Sequence, residues 1–207
     1  MAMHTTLSDN ELLQLMLSGD ESAFVTLYRR RHGNIYRFAL RMSGSEVIAE
    51  DVTQDVFLTL VSGNGHYDSA RGSFTAYLYG IARNQVLRRI EKDRPFLPLN
   101  DDYDGDETPS PKGLISVTDP LGDLTRRERI ESVRQAVLAL PSHYREVVVL
   151  CDLHEMSYVE TAEALGCAVG TVRSRLHRAR ALLIDKLRDI QVTENNPTRT
   201  DVANCLI

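Results

Sequence analysis

At 207 residues the chain has room for one large domain or two small ones, and 43% hydrophobic with 26% charged residues is an ordinary globular composition. A net charge of −5 excludes a generally basic polyanion binder, and no apolar run is long enough to span a bilayer. Cys151, Cys167 and Cys205 are widely spaced and odd in number. They form neither a disulfide framework nor a zinc spacing and read as free thiols of a reducing cytoplasm, with Cys167 the one placed for a redox role.

The opening MAMHTTLSDNELL lacks a basic region followed by an apolar stretch, so no signal peptide is expected and the chain is assigned to the cytoplasm. Ser8 and Glu11 fit a capping box, in which the hydroxyl takes an orphan amide and the Glu reaches back. Further on, Phe74, Leu78, Ile81 and Ala82 keep helical spacing. Residues 95–122 (PFLPLNDDYDGDETPSPKGLISVTDPLG) carry six acids and one base, which accounts for a net of −5. Such a stretch buries too little apolar surface to offset its ordering entropy, so it is read as an acidic linker between two domains, 1–94 and 123–190. Thr125–Glu128 and Ser157–Glu160 fit two more capping boxes. Between them Ile130, Val133, Val137 and Leu140 keep helical spacing up to Pro141. Alternating strand patterns are absent, which makes the fold all-α; the tail, 191–207, has no legible role.

The most informative stretch is GTVRSRLHRARALL, 170–183. From Ala164 to Ile184 there are four arginines and no carboxylate, in a chain that elsewhere repels polyanions. Ser157 opens a short helix, Gly166 supplies the left-handed residue that ends it, and a longer helix starts near Val169. A short helix, a tight turn and a longer helix make a helix-turn-helix. Val172, Leu176, Ala179 and Leu183 form its inward stripe. Thr171, Ser174, His177 and Arg178 point away from that stripe, flanked by Arg173, Arg175 and Arg180. Arginine forks reach guanine edges or phosphates, and short hydroxyls reach either, so this face suits a major groove. The plain alternative is a solvated basic helix face.

Three motifs in order carry a family resemblance. LPSHYREVVVLCDLHEMSYVETAEALGCAVGTVRSRLHRARALL (140–183) resembles region 4 of the extracytoplasmic-function (ECF, group 4) sigma factors of bacterial RNA polymerase, whose pattern is LPxxxREVxxL, SYxEIAxxLG, GTVxSRLxRAR. AEDVTQDVFLTLV (49–61) is similar to region 2.2, and YDSARGSFTAYLYGIARNQVLRRIEKDR (67–94) to regions 2.3 and 2.4. The resemblance implies a protein that binds the clamp and flap of core RNA polymerase, reads −35 and −10 promoter DNA, and helps part the strands. It implies no cofactor or metal, no enzyme activity, a monomer when free, and control by an anti-sigma factor.

Region 2.2 maps the clamp contact onto Glu50, Asp51, Gln54, Asp55, Phe57 and Leu58. Of these, Asp51, Gln54, Asp55 and Leu58 share one helical face by spacing, and carboxylates beside apolar residues suit a basic partner. Regions 2.3 and 2.4 map capture of a flipped −10 base onto the loop 62–73. Its contacts would be Asn64, Tyr67, Asp68 and Arg71, followed on the helix by Phe74, Tyr77, Asn84 and Arg88. Core packing is the plain alternative for Phe74, which lies on the apolar stripe. The family's linker threads near the RNA exit path, so Asp101–Glu107 are expected to occupy that path before the transcript.

Departures from the pattern are Val61 and Tyr77 where Trp is frequent, Gly80 where Arg is frequent, and Thr161 in an Ile slot. Thr161 is tolerable there if its hydroxyl bonds back along its helix. Two other readings compete. His154-Glu155 begins an HExxH, but residue 158 is Tyr, so the second zinc ligand is missing. A stand-alone helix-turn-helix repressor would explain 123–190 but not the earlier motifs, and would be a dimer on a palindrome.

Overall fold

Polar residues placed just before apolar runs set where the helices start. The computed structural model of the chain describes residues 6–62, 67–70, 72–93 and 126–194, and these are helical with short connections. Ser8 caps α1 (Asp9–Leu17) in the expected capping box: the Glu11 amide donates to Ser8 Oγ and the Ser8 amide donates to Glu11 Oε2 at 2.7 Å. Those Ser8 bonds hold the Glu11 carboxyl below its ordinary pKa. Asp20 caps α2 (Glu21–Ser43) through the Ser22 and Ala23 amides, and Gly44, at φ 73°, ends it in the left-handed conformation. Ser45 then caps α3 (Glu46–Val61).

After the loop, α4 runs Phe74–Asp93. The first block packs around α2, with α1, α3 and α4 laid against it. Leu12, Leu27, Ile35, Phe38, Met42, Val52, Val56, Leu78 and Val86 fill its interior. The acidic linker, Asn64, Arg71, Thr125 and residues 195–207 lie outside the described residues.

The second block holds α5 (Arg126–Leu138), α6 (Ser142–Val148), a π-helical turn (Val149–Leu153), α7 (Tyr158–Leu165) and α8 (Val169–Glu194). Pro141 stands just before α6, where its missing N–H costs nothing. The π turn converts VVVLCDL into a bulge that ends with Glu155 at φ 56°, a left-handed residue without glycine. Ser157 and Glu160 form the second capping box, and Gly166, at φ 64°, closes α7. Of the apolar positions on α5, Val137 is buried, but Ile130 and Val133 are 46% and 39% exposed. They face a groove of about 600 Å³ between α5 and α2 instead of a core. Thr161 is fully buried, yet its hydroxyl meets Cys151 Sγ at 3.3 Å instead of bonding back along α7. Burial in turn pushes the Cys151 thiol up in pKa, the mark of an inert packing thiol.

The two blocks pack directly on each other, α5 on α2 and α7 on α4, and their buried residues form one continuous cluster. Arg145 ties the seam: its guanidinium donates to the Met42 carbonyl at 2.5 Å in the first block and to the Leu138 and Leu140 carbonyls in the second. Arg41 donates to the Leu153 carbonyl at 2.8 Å. Arg83 donates to Glu146 at 2.8 and 3.3 Å, and the Glu146 side chain is buried. Such a carboxylate is tolerable only with its partner in place. Tyr79 Oη lies 2.8 Å from His154 Nδ1, and Phe38 packs edge-on to both rings. Burial, with Arg41 and Arg37 nearby, lowers the His154 pKa to about 4, and burial raises that of Tyr79 to about 12.

Candidate functional site

Helix α8 is placed by its buried stripe. Val172, Leu176 and Ala179 are fully buried, with Leu183 half-buried behind them, so the opposite face must look outward. Arg173, Ser174 and His177 are exposed there, and Thr171, Arg175 and Arg178 are half-buried beside them. Ser174 Oγ donates to the Thr171 carbonyl, which seats the side chain on the helix surface. Arg173 lies 5.9 Å from the centre of the Tyr158 ring, so a residue of α7 steadies a residue of α8. Arg180 is different: it forms a two-pronged pair with Asp152 of the π turn at 2.6 and 3.1 Å. The hydrogen bond to Asp152 raises its pKa. Six of the seven residues expected on this face are therefore free of an ion pair among the described residues, and the seventh is tied down at its edge.

The second cluster lies at the start of α4. Tyr67, Phe74 and Tyr77 pack as an aromatic trio, with ring centres 5.3–6.4 Å apart. Tyr67 Oη donates to the Gly72 carbonyl. Phe74 is only 4% exposed, so it is core, as its position on the apolar stripe allows. Tyr77 is half-buried and burial raises its pKa. Asp68 is exposed and accepts from the Ala70 amide. Asn84 and Arg88 are exposed one turn apart. Asn64 and Arg71 lie outside the described residues.

The third cluster differs most from its expected arrangement. Asp51, Gln54, Asp55 and Leu58 all lie on the outward side of α3, as the spacing requires, but they are differently engaged. Arg89 of α4 pairs with Asp55 at 2.6 Å, whereas Asp51, 4.0 Å from the same guanidinium, keeps 59% of its side chain exposed. Glu50, Gln54, Leu58 and Val61 instead line a groove of about 820 Å³ between α3 and α2. Phe57 is only 3% exposed and forms the floor of that groove. The far wall comes from α2: Phe24, Tyr28, His32 and Tyr36, residues absent from the sequence-based set. Tyr28 stacks on His32 at 4.9 Å and meets Phe57 edge-on at 4.7 Å. Leu58 and Val61 are 56% and 55% exposed at its rim. Apolar side chains in such numbers at a groove lip, with Glu50 and Gln54 beside them, suit a protein helix of mixed apolar and basic character. The signal in the sequence was the aromatic ladder Phe24, Tyr28, His32, Tyr36 at intervals of four.

His154, the start of the incomplete HExxH, is engaged with Tyr79 in the seam. No helix among the described residues is long and apolar enough to cross a membrane.

Comparison with known proteins adds to this geometry. The family model described as sigma-70 region 2 matches residues 27–95, and that described as sigma-70 region 4 matches 130–183. The chain is 33% identical to the ECF RNA polymerase sigma factor SigW of Bacillus subtilis over 83% of this chain and 92% of that protein. It is 36% identical to the ECF RNA polymerase sigma factor SigM of Mycobacterium tuberculosis over 85% and 83%. Among solved structures, CnrH in complex with the cytosolic domain of CnrY is similar, with a TM-score of 0.62 and 29% identity over 87% of this chain and 97% of that one.

Proposed function

Because this chain belongs to the ECF class of RNA polymerase sigma factors, we propose that it binds core RNA polymerase, reads −35 and −10 promoter elements and helps part the strands. It is a transcription initiation factor, not an enzyme, and works in the cytoplasm where the polymerase is. In this reading residues 1–94 form region 2, 95–122 the acidic linker and 123–190 region 4. The observation that carries the reading is the acid-free outward face of α8 from Thr171 to Arg178, which takes part in no ion pair among the described residues. Arg173, Arg175 and Arg178 would take phosphates or guanine edges of the −35 element, with Thr171, Ser174 and His177 between them and Arg180 at the margin.

Region 2 has two tasks. The groove between α2 and α3 receives the polymerase clamp, with Leu58, Val61 and Tyr28 as apolar anchors and Glu50 and Gln54 at the rim. Tyr67, Asp68, Tyr77, Asn84 and Arg88, with Asn64 and Arg71 in the loop, meet the −10 strand. Phe74 and Phe57 support these surfaces from beneath. Asp55, paired with Arg89, also braces α3 against α4, and the exposed Asp51 adds negative charge for a basic partner. Ile130 and Val133 on α5 supply an apolar contact for the polymerase flap. CnrH is in complex with the cytosolic domain of CnrY, which supports a protein partner for this chain too, and an anti-sigma factor is the partner proposed.

Size-exclusion chromatography with bacterial core polymerase tests the reading. The wild-type chain should co-elute, Leu58→Glu should not, and Arg178→Ala should co-elute like the wild type because α8 reads DNA. A free chain that forms a stable dimer on duplex DNA and ignores the polymerase would replace this reading with the repressor.

A further inference from the structure

On the sigma reading above, the groove between α2 and α3 receives the polymerase clamp, and His32 on its α2 wall has no role yet. Phe24, Tyr28, His32 and Tyr36 recur at intervals of four, so neighbours in this ladder touch along α2. Phe24 and Tyr36 are half-buried, whereas Tyr28 and His32 are exposed. An exposed ring keeps rotamer freedom unless its neighbours remove it.

Tyr28 has three aromatic neighbours. The His32 ring lies 4.9 Å from it, with the two planes only 7° apart. Phe57 meets it edge-on from α3 at 4.7 Å, and Phe24 lies tilted to it at 6.0 Å, one turn earlier on α2. Both are geometries that aromatic pairs favour. Phe57 is buried in the groove floor, so His32 is the one exposed member of the three. His32 is itself tied to the backbone. A carbonyl oxygen only accepts, so in the 2.9 Å bond His32 Nδ1–H donates to the Tyr28 carbonyl. The same two residues are thus joined twice. The backbone bond orients the imidazole, and the imidazole lies flat on the phenol. Tyr28 still keeps 38% of its surface open to the groove and to solvent, and its hydroxyl makes no hydrogen bond among the described residues.

We propose that His32 is a positioning residue for polymerase binding: it holds Tyr28 as a fixed aromatic platform on the α2 wall, across the groove from Leu58 and Val61. A partner that docks on a ring already held in place avoids the entropy of ordering it. For one side chain that saving is about two- to tenfold in affinity. The imidazole acts through Tyr28, so a flat ring of another kind can replace it.

Fluorescence titration of the labelled full chain with bacterial core polymerase reads the effect. His32→Ala should weaken binding about fivefold, and His32→Phe, which restores a flat ring, should return it to within about twofold of the wild type. Tyr28→Ala should weaken binding at least as much as His32→Ala. Adding His32→Ala to Tyr28→Ala should cost less than about twofold more, because no ring is left to hold. Side-chain couplings measured by NMR on the free chain give a readout without polymerase. Tyr28 should occupy one χ1 rotamer in the wild type and in His32→Phe, and average over several in His32→Ala. Unchanged binding in His32→Ala, a loss that His32→Phe does not recover, a loss that adds in full to that of Tyr28→Ala, or a single Tyr28 rotamer in His32→Ala each overturns the positioning role while leaving the sigma reading intact. A wild-type chain that does not bind polymerase at all overturns the sigma reading, and the positioning role with it.

Discussion

The outward face of α8 and the reading face of α4 are built from similar residue types and stand in opposite states. On α8, Arg173, Ser174 and His177 look into solvent because the opposite stripe is fully spent on the core. On α4, the equivalent stripe is half taken by another helix, with Ser73 and Gly80 under α7 and only Asn84 and Arg88 exposed. The lesson concerns which surfaces are ready. A helix that faces duplex DNA can wait exposed, since an acid-poor basic surface is well solvated. A surface that must accept unstacked bases needs aromatic groups, and here Tyr67, Phe74 and Tyr77 pack on one another.

The most disruptive way to break this comparison is to remove the side chain that both blocks share. Phe38→Ala deletes a fully buried ring that packs on Tyr79 in its own block and His154 in the other. It should cost about 3–5 kcal/mol in urea denaturation and destabilise both blocks together. If only one block's signal moves, the seam is not part of the cooperative unit.

A milder change acts through pH. His154 is neutral in the folded chain, with a pKa of about 4, against an ordinary value near 6.5. The unfolded chain therefore takes up a proton first as pH falls, so the contribution is full above about pH 6.5 and declines toward pH 4. Between pH 7 and 5 the loss should be about 2 kcal/mol, a drop in stability that His154→Gln removes. An equal pH slope in the variant would mean that His154 carries no proton linkage.

The smallest effect sharpens the α8 side. Arg178→Ala should weaken binding of the holoenzyme to a promoter duplex by about 1–2 kcal/mol and reduce its salt dependence by about one unit of slope. Arg180→Ala should lose less, because its guanidinium is already committed to Asp152. The reverse order would move the groove-facing centre of α8 toward its C-terminal half.

How far the sequence carried this picture depends on whether the determining groups are neighbours in the chain. Ser8 with Glu11 and Ser157 with Glu160 sit within one turn, and both capping boxes form as spacing requires. The inward stripe of α8 is likewise a matter of intervals of three and four. The α2–α3 groove was half legible: Leu58 and Gln54 stood out in α3, but Tyr28 and His32 acquire meaning only when α2 is laid beside them. The pairing of Asp55 with Arg89 was hidden for the same reason, and it gives one expected partner contact a partner within the fold as well. The π turn could not be read, since VVVLCDL is a buried apolar run in a helix or a bulge alike. The seam was least legible. Arg145, Glu146 and Glu163 look like ordinary charged helix residues until the Met42 carbonyl, the Arg83 guanidinium and the Ser73 amide of the first block meet them.

The central claim is that one chain directs the polymerase to promoter DNA and exposes the −10 strand. Permanganate footprinting tests it most directly, on a DNA fragment selected by the assembled holoenzyme from random duplexes. The account predicts reactive thymines near the −10 position only when both core polymerase and this chain are present, and loss of that reactivity with Leu58→Glu. Reactivity unchanged without the chain, or protection of duplex DNA by the chain alone with no opened thymine, would contradict it.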